Sequence, residues 1–328
     1  MKLDFSLIAT ALCGAERFVE HGGLLFPCRF TEAECEAYKG YSADFYMKTR
    51  ASAGMRLEFS TDSTAITLSG ECRPASSRCF FGFDVYADGA LIHHTLDYIK
   101  DGRADYRIEV SLGEKKQRRI KIYFPWSVET AIAELSIDDG AGFTPIRHPK
   151  AIVCYGDSIT HGYDSVNPSF SYANRLADML LSEPINKGIG GEVFFPTLAE
   201  LAAERTPDYI TVAYGTNDWS ITERERFDKN SRLFYDNLAK KYPNAKIFAL
   251  APIWRINCES RITSVGEFTY VSDTLREIAA SYDNITFIEG IDLVPKSAEY
   301  YAPDILHPND AGFYHYAANL YSEIKKHI

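Results

Sequence analysis

Hydrophobic and polar positions follow two different rhythms along this chain, and the change falls near residue 148. Between about Tyr41 and Ile146 the apolar residues alternate, or run over short stretches, in "MRLEFS", "TAITLSG", "FFGFDVYADGALIHHTLD", "YRIEVSL", "RRIKIYFP" and "TAIAELSI". Turn residues separate these runs, which is the pattern of half-buried strands. Asp88-Gly89 sits between two such runs, and a tight hairpin turn favours residues that accept positive φ, so the dipeptide predicts a hairpin. Short strands with no long helical stretch between them predict an antiparallel β-sandwich, jelly-roll-like in outline. The segment "FTPIRHPK", Phe143 to Lys150, reads as the connector.

After Lys150 the apolar runs "AIVCYG", "DYITVAYG", "AKIFALAPI" and "NITFIEG" alternate with helical stretches. Strands separated by helices pair in parallel through crossover connections. "EPINKGI" supplies a fifth strand, and Asn309 can cap a final helix whose Phe313, Tyr316, Ala317, Leu320, Tyr321 and Ile324 recur at three- and four-residue intervals. The expected organisation is therefore a sandwich over residues 1–148 and a three-layer α/β domain with a five-stranded parallel sheet over 149–328.

Composition excludes several function classes. A length of 328 residues suits two cores. The 45 acidic against 35 basic residues give a net charge of −10, which repels phosphate backbones, so nucleic acid is not an expected partner. No run of about 18 apolar residues is present, and no membrane partner is expected. The N-terminal "MKLDFSLIATALCGAERF" has only a short, mixed apolar stretch interrupted early by Asp4, and reads as mature sequence rather than a signal peptide. Seven cysteines form an odd set without a C-x-x-C pair. That pattern argues against a zinc or redox site and for free thiols in a cytoplasmic protein.

Ligands of an open parallel sheet bind at the carboxyl ends of its strands, where loops diverge and helix N-termini present free N–H groups. The polar, glycine-rich segments of this chain fall at those ends. The first strand leads into Gly156-Asp157-Ser158, the second into "NKGIGGE", the third into "YGTNDW", and the last is followed by "YYAPDILHPND". Together they hold the parts of an acyl-transfer site. Ser158 is a weak nucleophile unless a base takes its proton, His307 is the base on offer, and Asp304 can hold the imidazole in one tautomer. The oxyanion formed on attack needs donors already in place. The Ser158 amide, a glycine amide after Asn186 and the side chain of Asn217 could supply them.

"GDSI", the Gly-Gly after Asn186, "GTND" and "DILH" resemble the four ordered blocks of the SGNH, or GDSL-type, hydrolases. The resemblance covers roughly residues 150–328. It implies Ser158 as nucleophile, Gly191 and Asn217 in the oxyanion hole, and Asp304 and His307 as the remaining triad members. It also implies a flavodoxin-like sheet of order 2-1-3-4-5 and neither metal nor organic cofactor. Gly188 and Gly190 compete with Gly191 for the donor role, Gly191 being favoured as the last before the acidic Glu192. Ile159 stands where the family name has leucine, a position expected to pack. A sandwich ahead of such a domain is similar to the arrangement in carbohydrate acetyl esterases.

Four further residues are candidates for substrate contact, each with a structural alternative. His161 lines the pocket entrance or caps locally, Trp219 stacks on a sugar or packs, and Trp254 and Arg255 touch substrate or serve the surface. The aromatic residues of the sandwich, Trp126 among them, are expected in its core. The resulting expectation is a serine esterase acting on a small-molecule ester, with a short acyl group such as acetyl and an acetylated sugar as substrate. The alternatives are a lysophospholipase- or thioesterase-type lipid hydrolase, and a carbohydrate-binding protein with an inactive hydrolase domain.

Overall fold

The computed structural model describes residues 1–201, 203 and 205–328. Period-2 alternation builds the N-terminal sandwich. In the strand Ala104–Ser111, Tyr106, Ile108 and Val110 are buried while Asp105, Arg107 and Glu109 face solvent, as the pleat requires. One sheet orders the strands Ala104–Ser111, Ala65–Pro74, Val128–Ile137, Leu24–Cys28 and Arg17–His21. The other orders Leu12–Cys13, Arg56–Thr61, Arg118–Tyr123, Asp84–Ala87 and Ala90–His94, with Thr144–Pro145 also paired to Arg56–Thr61. Pairing is antiparallel in both. Between the sheets lies a core that includes Leu57, Phe59, Leu68, Ile120, Ile132 and Leu135. The expected hairpin forms at Asp88-Gly89, where φ is 50° and 86°, both left-handed as a two-residue turn demands.

The strand-like reading that begins at Tyr41 starts too early. Two helices, Glu32–Tyr41 and Ala43–Thr49, precede the strand Arg56–Thr61. Thr31 and Glu34 close a reciprocal capping box that satisfies two N–H groups at the first helix start. The first helix docks on the C-terminal sheet: its Tyr38, with Phe30 just ahead of it, joins the core built on Val153, Tyr155 and Val212. The N-terminal part of the chain thus packs into both layers.

The C-terminal sheet has five parallel strands in the order Ser182–Asn186, Lys150–Gly156, Tyr209–Ala213, Lys246–Leu250 and Ile285–Ile288, which is 2-1-3-4-5 counted along the chain. Burial on both faces explains its continuous apolar runs. Successive residues serve opposite cores: Ile152 and Cys154 pack with Leu176, Phe313 and Leu320, whereas Val153 and Tyr155 pack with Leu198, Phe234 and Leu238. The last helix, Asp310–Ile324, is capped by Asn309, whose side chain accepts from the Gly312 amide at 3.0 Å. Among the described residues no helix is long and apolar enough to cross a membrane, and the cysteines are all free.

Candidate active site

The first strand ends at Gly156 against the helix that carries Ser158. A Cβ on Gly156 would lie 2.1 Å from Thr160 Oγ1, so only glycine lets strand and helix approach this closely. Asp157 caps the short helix Ser158–His161 by accepting from the Ile159 amide at 2.9 Å, and burial pushes its carboxyl up to about 6. Ser158 is 5 % exposed. Its Oγ lies 2.7 Å from Nε2 of His307, whose Nδ1 lies 2.6 Å from Asp304 Oδ2. The other Asp304 oxygen accepts from the amides of Leu306 and His307 at 3.0 and 3.1 Å, which shapes the turn that presents the imidazole.

Charge follows from this geometry. Burial works against protonated His307, yet its hydrogen bonds to the Asp164 and Asp304 carboxylates outweigh it and raise the imidazole to about 9. Burial also opposes ionisation of Asp304, but the His307 ring and the amide donors hold its carboxyl well below the usual range. The arrangement can pass the Ser158 proton to Nε2 while a carboxylate stabilises the resulting imidazolium.

The structure separates the three competing glycines. The Gly188 amide donates to Asn186 Oδ1 at 2.8 Å, and the Gly190 amide donates to His161 Nδ1 at 3.2 Å. Gly191, at φ 88°, has no acceptor for its amide among the described residues, nor does Ser158. Asn217 donates through Nδ2 to the Glu192 carbonyl at 2.9 Å, which fixes the side-chain amide beside the same loop. Glu192 is itself held by the hydroxyls of Tyr38 and Tyr214 at 2.6 and 2.7 Å, and burial raises its carboxyl to about 8.

Two expected substrate contacts lie elsewhere. His161 is 0 % exposed: Nε2 donates to the Trp126 carbonyl at 3.0 Å while Nδ1 accepts from Gly190, so both nitrogens are engaged and the ring faces no pocket. Burial, with Arg29 nearby, holds it well below the ordinary imidazole value, in its neutral form. Its place is between the sandwich and the glycine loop. Trp219 is likewise 0 % exposed; its indole donates to the Gly266 carbonyl at 3.0 Å and its ring packs edge-on to Phe268, leaving no face for a sugar. Trp254 is half-buried against Tyr301, and Arg255 Nη1 is braced on Thr216 and Ser220 beside Asn217. Trp126 packs with Tyr163, outside the main sandwich core.

Sequence reasoning missed the groups that hold the glycine loop from the N-terminal side. Arg29, fully buried, donates to the carbonyls of Asn186 and Gly188 at 2.9 and 2.7 Å, and Lys48 Nζ donates to the Gly190 carbonyl at 2.8 Å. It also missed Asp164, 3.2 Å from His307 Nδ1. Asp164, Asp304 and His307 bring ligand-type atoms within 4.8 Å of one another, but Arg78 already fills the cationic side of Asp164. That donor set fits an imidazole clamp better than an ion.

Residues 154–314 match the model of the GDSL-like Lipase/Acylhydrolase family. No curated protein matches the chain by sequence. Among solved structures, the salicylyl-acyltransferase SsfX3 of a tetracycline biosynthetic pathway superposes with a TM-score of 0.82 at 19% identity, covering 96% of this chain and 94% of that one. A family two carbohydrate esterase from Clostridium thermocellum, in complex with cellohexaose, gives 0.67 at 15% identity over 96% and 98%. An acetyl xylan esterase from the rumen bacterium Butyrivibrio proteoclasticus gives 0.60 at 16% identity over 83% and 90%. At such identities these likenesses show a shared two-domain fold. The chain thus carries a GDSL-like lipase/acylhydrolase domain over residues 154–314, the domain of an ester hydrolase.

Proposed function

We propose that the protein is a serine esterase that removes short acyl groups, acetyl foremost, from a carbohydrate or glycoside. The observation that carries this reading is the continuous relay Ser158 Oγ, His307, Asp304, with contacts of 2.7 and 2.6 Å. Ser158 attacks the ester carbonyl as His307 takes its proton. The carbonyl oxygen becomes an oxyanion that the amides of Ser158 and Gly191 and the side chain of Asn217 receive. Collapse expels the alcohol, protonated by His307, and leaves an acyl-serine that water then hydrolyses by the same route in reverse. Residues 1–148 act as an accessory sandwich and 149–328 as the catalytic domain.

Ser158 and His307 are only 5 % and 7 % exposed, so the nucleophile is set below the surface, which suits a small acyl group. The sugar alcohol is supported by fold-level likeness to carbohydrate esterases, which is analogy for substrate. A series of aryl esters from acetyl to decanoyl, together with acetylated oligosaccharides, tests both halves on the full chain. The expected result is kcat/KM highest for acetyl, falling steeply with chain length, and acetate released from the oligosaccharides. A maximum at eight or more carbons would instead point to a lipid hydrolase. Truncation at residue 148 is unsuitable, because Phe30 and Tyr38 belong to the core around the parallel sheet.

A further inference from the structure

Nδ1 of His307 faces two carboxylates, and the relay described above uses one of them. Asp304 Oδ2 stands at 2.6 Å and Asp164 Oδ2 at 3.2 Å. Asp164 follows the turn that ends the Ser158 helix and has φ 66°, a left-handed backbone that Asp and Asn tolerate better than most residues. Both its oxygens are taken up by one guanidinium: Arg78 Nε donates to Oδ1 at 2.7 Å and Nη2 to Oδ2 at 2.8 Å. A forked pair of this kind fixes the plane of the carboxylate as well as its position. Arg78 comes from the sandwich, on the loop after the strand Ala65–Pro74. Its guanidinium lies 5.3 Å over the Tyr163 ring, and that ring lies 5.5 Å from the His307 ring at 31°.

We infer that Asp164 is a second positioning carboxylate for His307, clamped by Arg78, so that the sandwich helps set the orientation and proton affinity of the imidazole. The inference rests on the reading of His307 as the base for Ser158. Asp304 takes the shorter hydrogen bond from Nδ1. Asp164 flanks it on the same nitrogen, limits rotation of the ring away from Ser158, and adds negative charge that favours the imidazolium. Arg78 offsets part of that charge from beyond Asp164. Asp157 at the Ser158 helix start and Arg255 on the neighbouring loop are the other charged groups acting near the cluster, and neither joins the clamp.

The two members of the clamp predict opposite effects. The pH dependence of kcat/KM reports the free enzyme's base, which is competent only when deprotonated. Asp164→Asn keeps a residue suited to the left-handed backbone but removes a negative charge, and should move the acid limb to lower pH by about one unit. Arg78→Gln leaves Asp164 uncompensated and should move the limb to higher pH. An ion pair that merely ties the sandwich to the α/β domain would lower the melting temperature of both variants and leave both limbs at the parent position. That outcome, or a shift of both limbs in one direction, overturns the inference. Arg78 is partly exposed, so Arg78→Gln decides the matter alone should Asp164→Asn not fold. Ser158→Ala measured alongside separates the two failures. Retained turnover there would remove the underlying reading, whereas an inactive Ser158→Ala with unmoved limbs removes only the second carboxylate.

Discussion

Ser158→Ala is expected to abolish hydrolysis of a small activated acetate ester while the protein stays folded. Alanine keeps the β-carbon and loses only the hydroxyl, whose partner is His307 Nε2 at 2.7 Å. The imidazole remains held by Asp304 and Asp164, and the helix remains capped by Asp157. Loss of one buried hydrogen bond costs about 1 kcal/mol of stability. His161, on the same short helix, has both ring nitrogens engaged and offers no substitute nucleophile. The donors left behind could still assist water attack weakly, far below turnover through an acyl-enzyme. The check is an initial-rate assay with circular dichroism on the same samples. Undiminished turnover would sink the assignment of Ser158.

His307→Ala is expected to lower kcat by several orders of magnitude, on the order of 10^5 or more, as loss of the base does when nucleophile and base act as one unit. The same logic predicts that Ser158→Ala with His307→Ala is no slower than either alone. Stability should change with pH in a defined sense. The folded imidazole is raised from its ordinary 6.5 to about 9, so its contribution is fully present below about pH 6.5 and is lost as pH rises through about 9. The melting temperature gap between parent and His307→Ala should therefore be widest at neutral to mildly acidic pH and close under alkaline conditions. Removing the imidazolium also leaves Asp304 and Asp164 facing each other with Arg78 as the remaining fork, which adds to the loss in the same window.

The strands were legible because period-2 alternation, continuous apolar runs and turn chemistry are local signals. Tyr106, Ile108 and Val110 show the sandwich face, and Asp88-Gly89 shows its hairpin. The α/β half was legible in its alternation of strands and helices, and the segments bearing Ser158, Asn217 and His307 meet because parallel strands carry their following loops to one edge. What escaped was tertiary. The helices Glu32–Tyr41 and Ala43–Thr49 are short, and their docking onto the parallel sheet depends on partners such as Phe195, far along the chain. Arg29 and Lys48 act through backbone carbonyls more than 140 residues away, which leave no mark in sequence. Asp164 stands within "GDSITHGYDS", in plain view, but its meaning comes from Arg78 in the other domain. His161 and Trp219 invited functional readings by proximity alone, and burial assigns both to packing and loop support.

The central claim is that Ser158 becomes covalently acylated during turnover. A fluorophosphonate, which reacts with a serine activated by a base, followed by peptide mapping in the mass spectrometer, tests it most directly. The account predicts a single adduct on the peptide containing Ser158, formed in step with loss of esterase activity and absent from Ser158→Ala and His307→Ala. An adduct on another residue that tracks the loss of activity, or full inactivation of Ser158→Ala turnover by the same reagent, would contradict it.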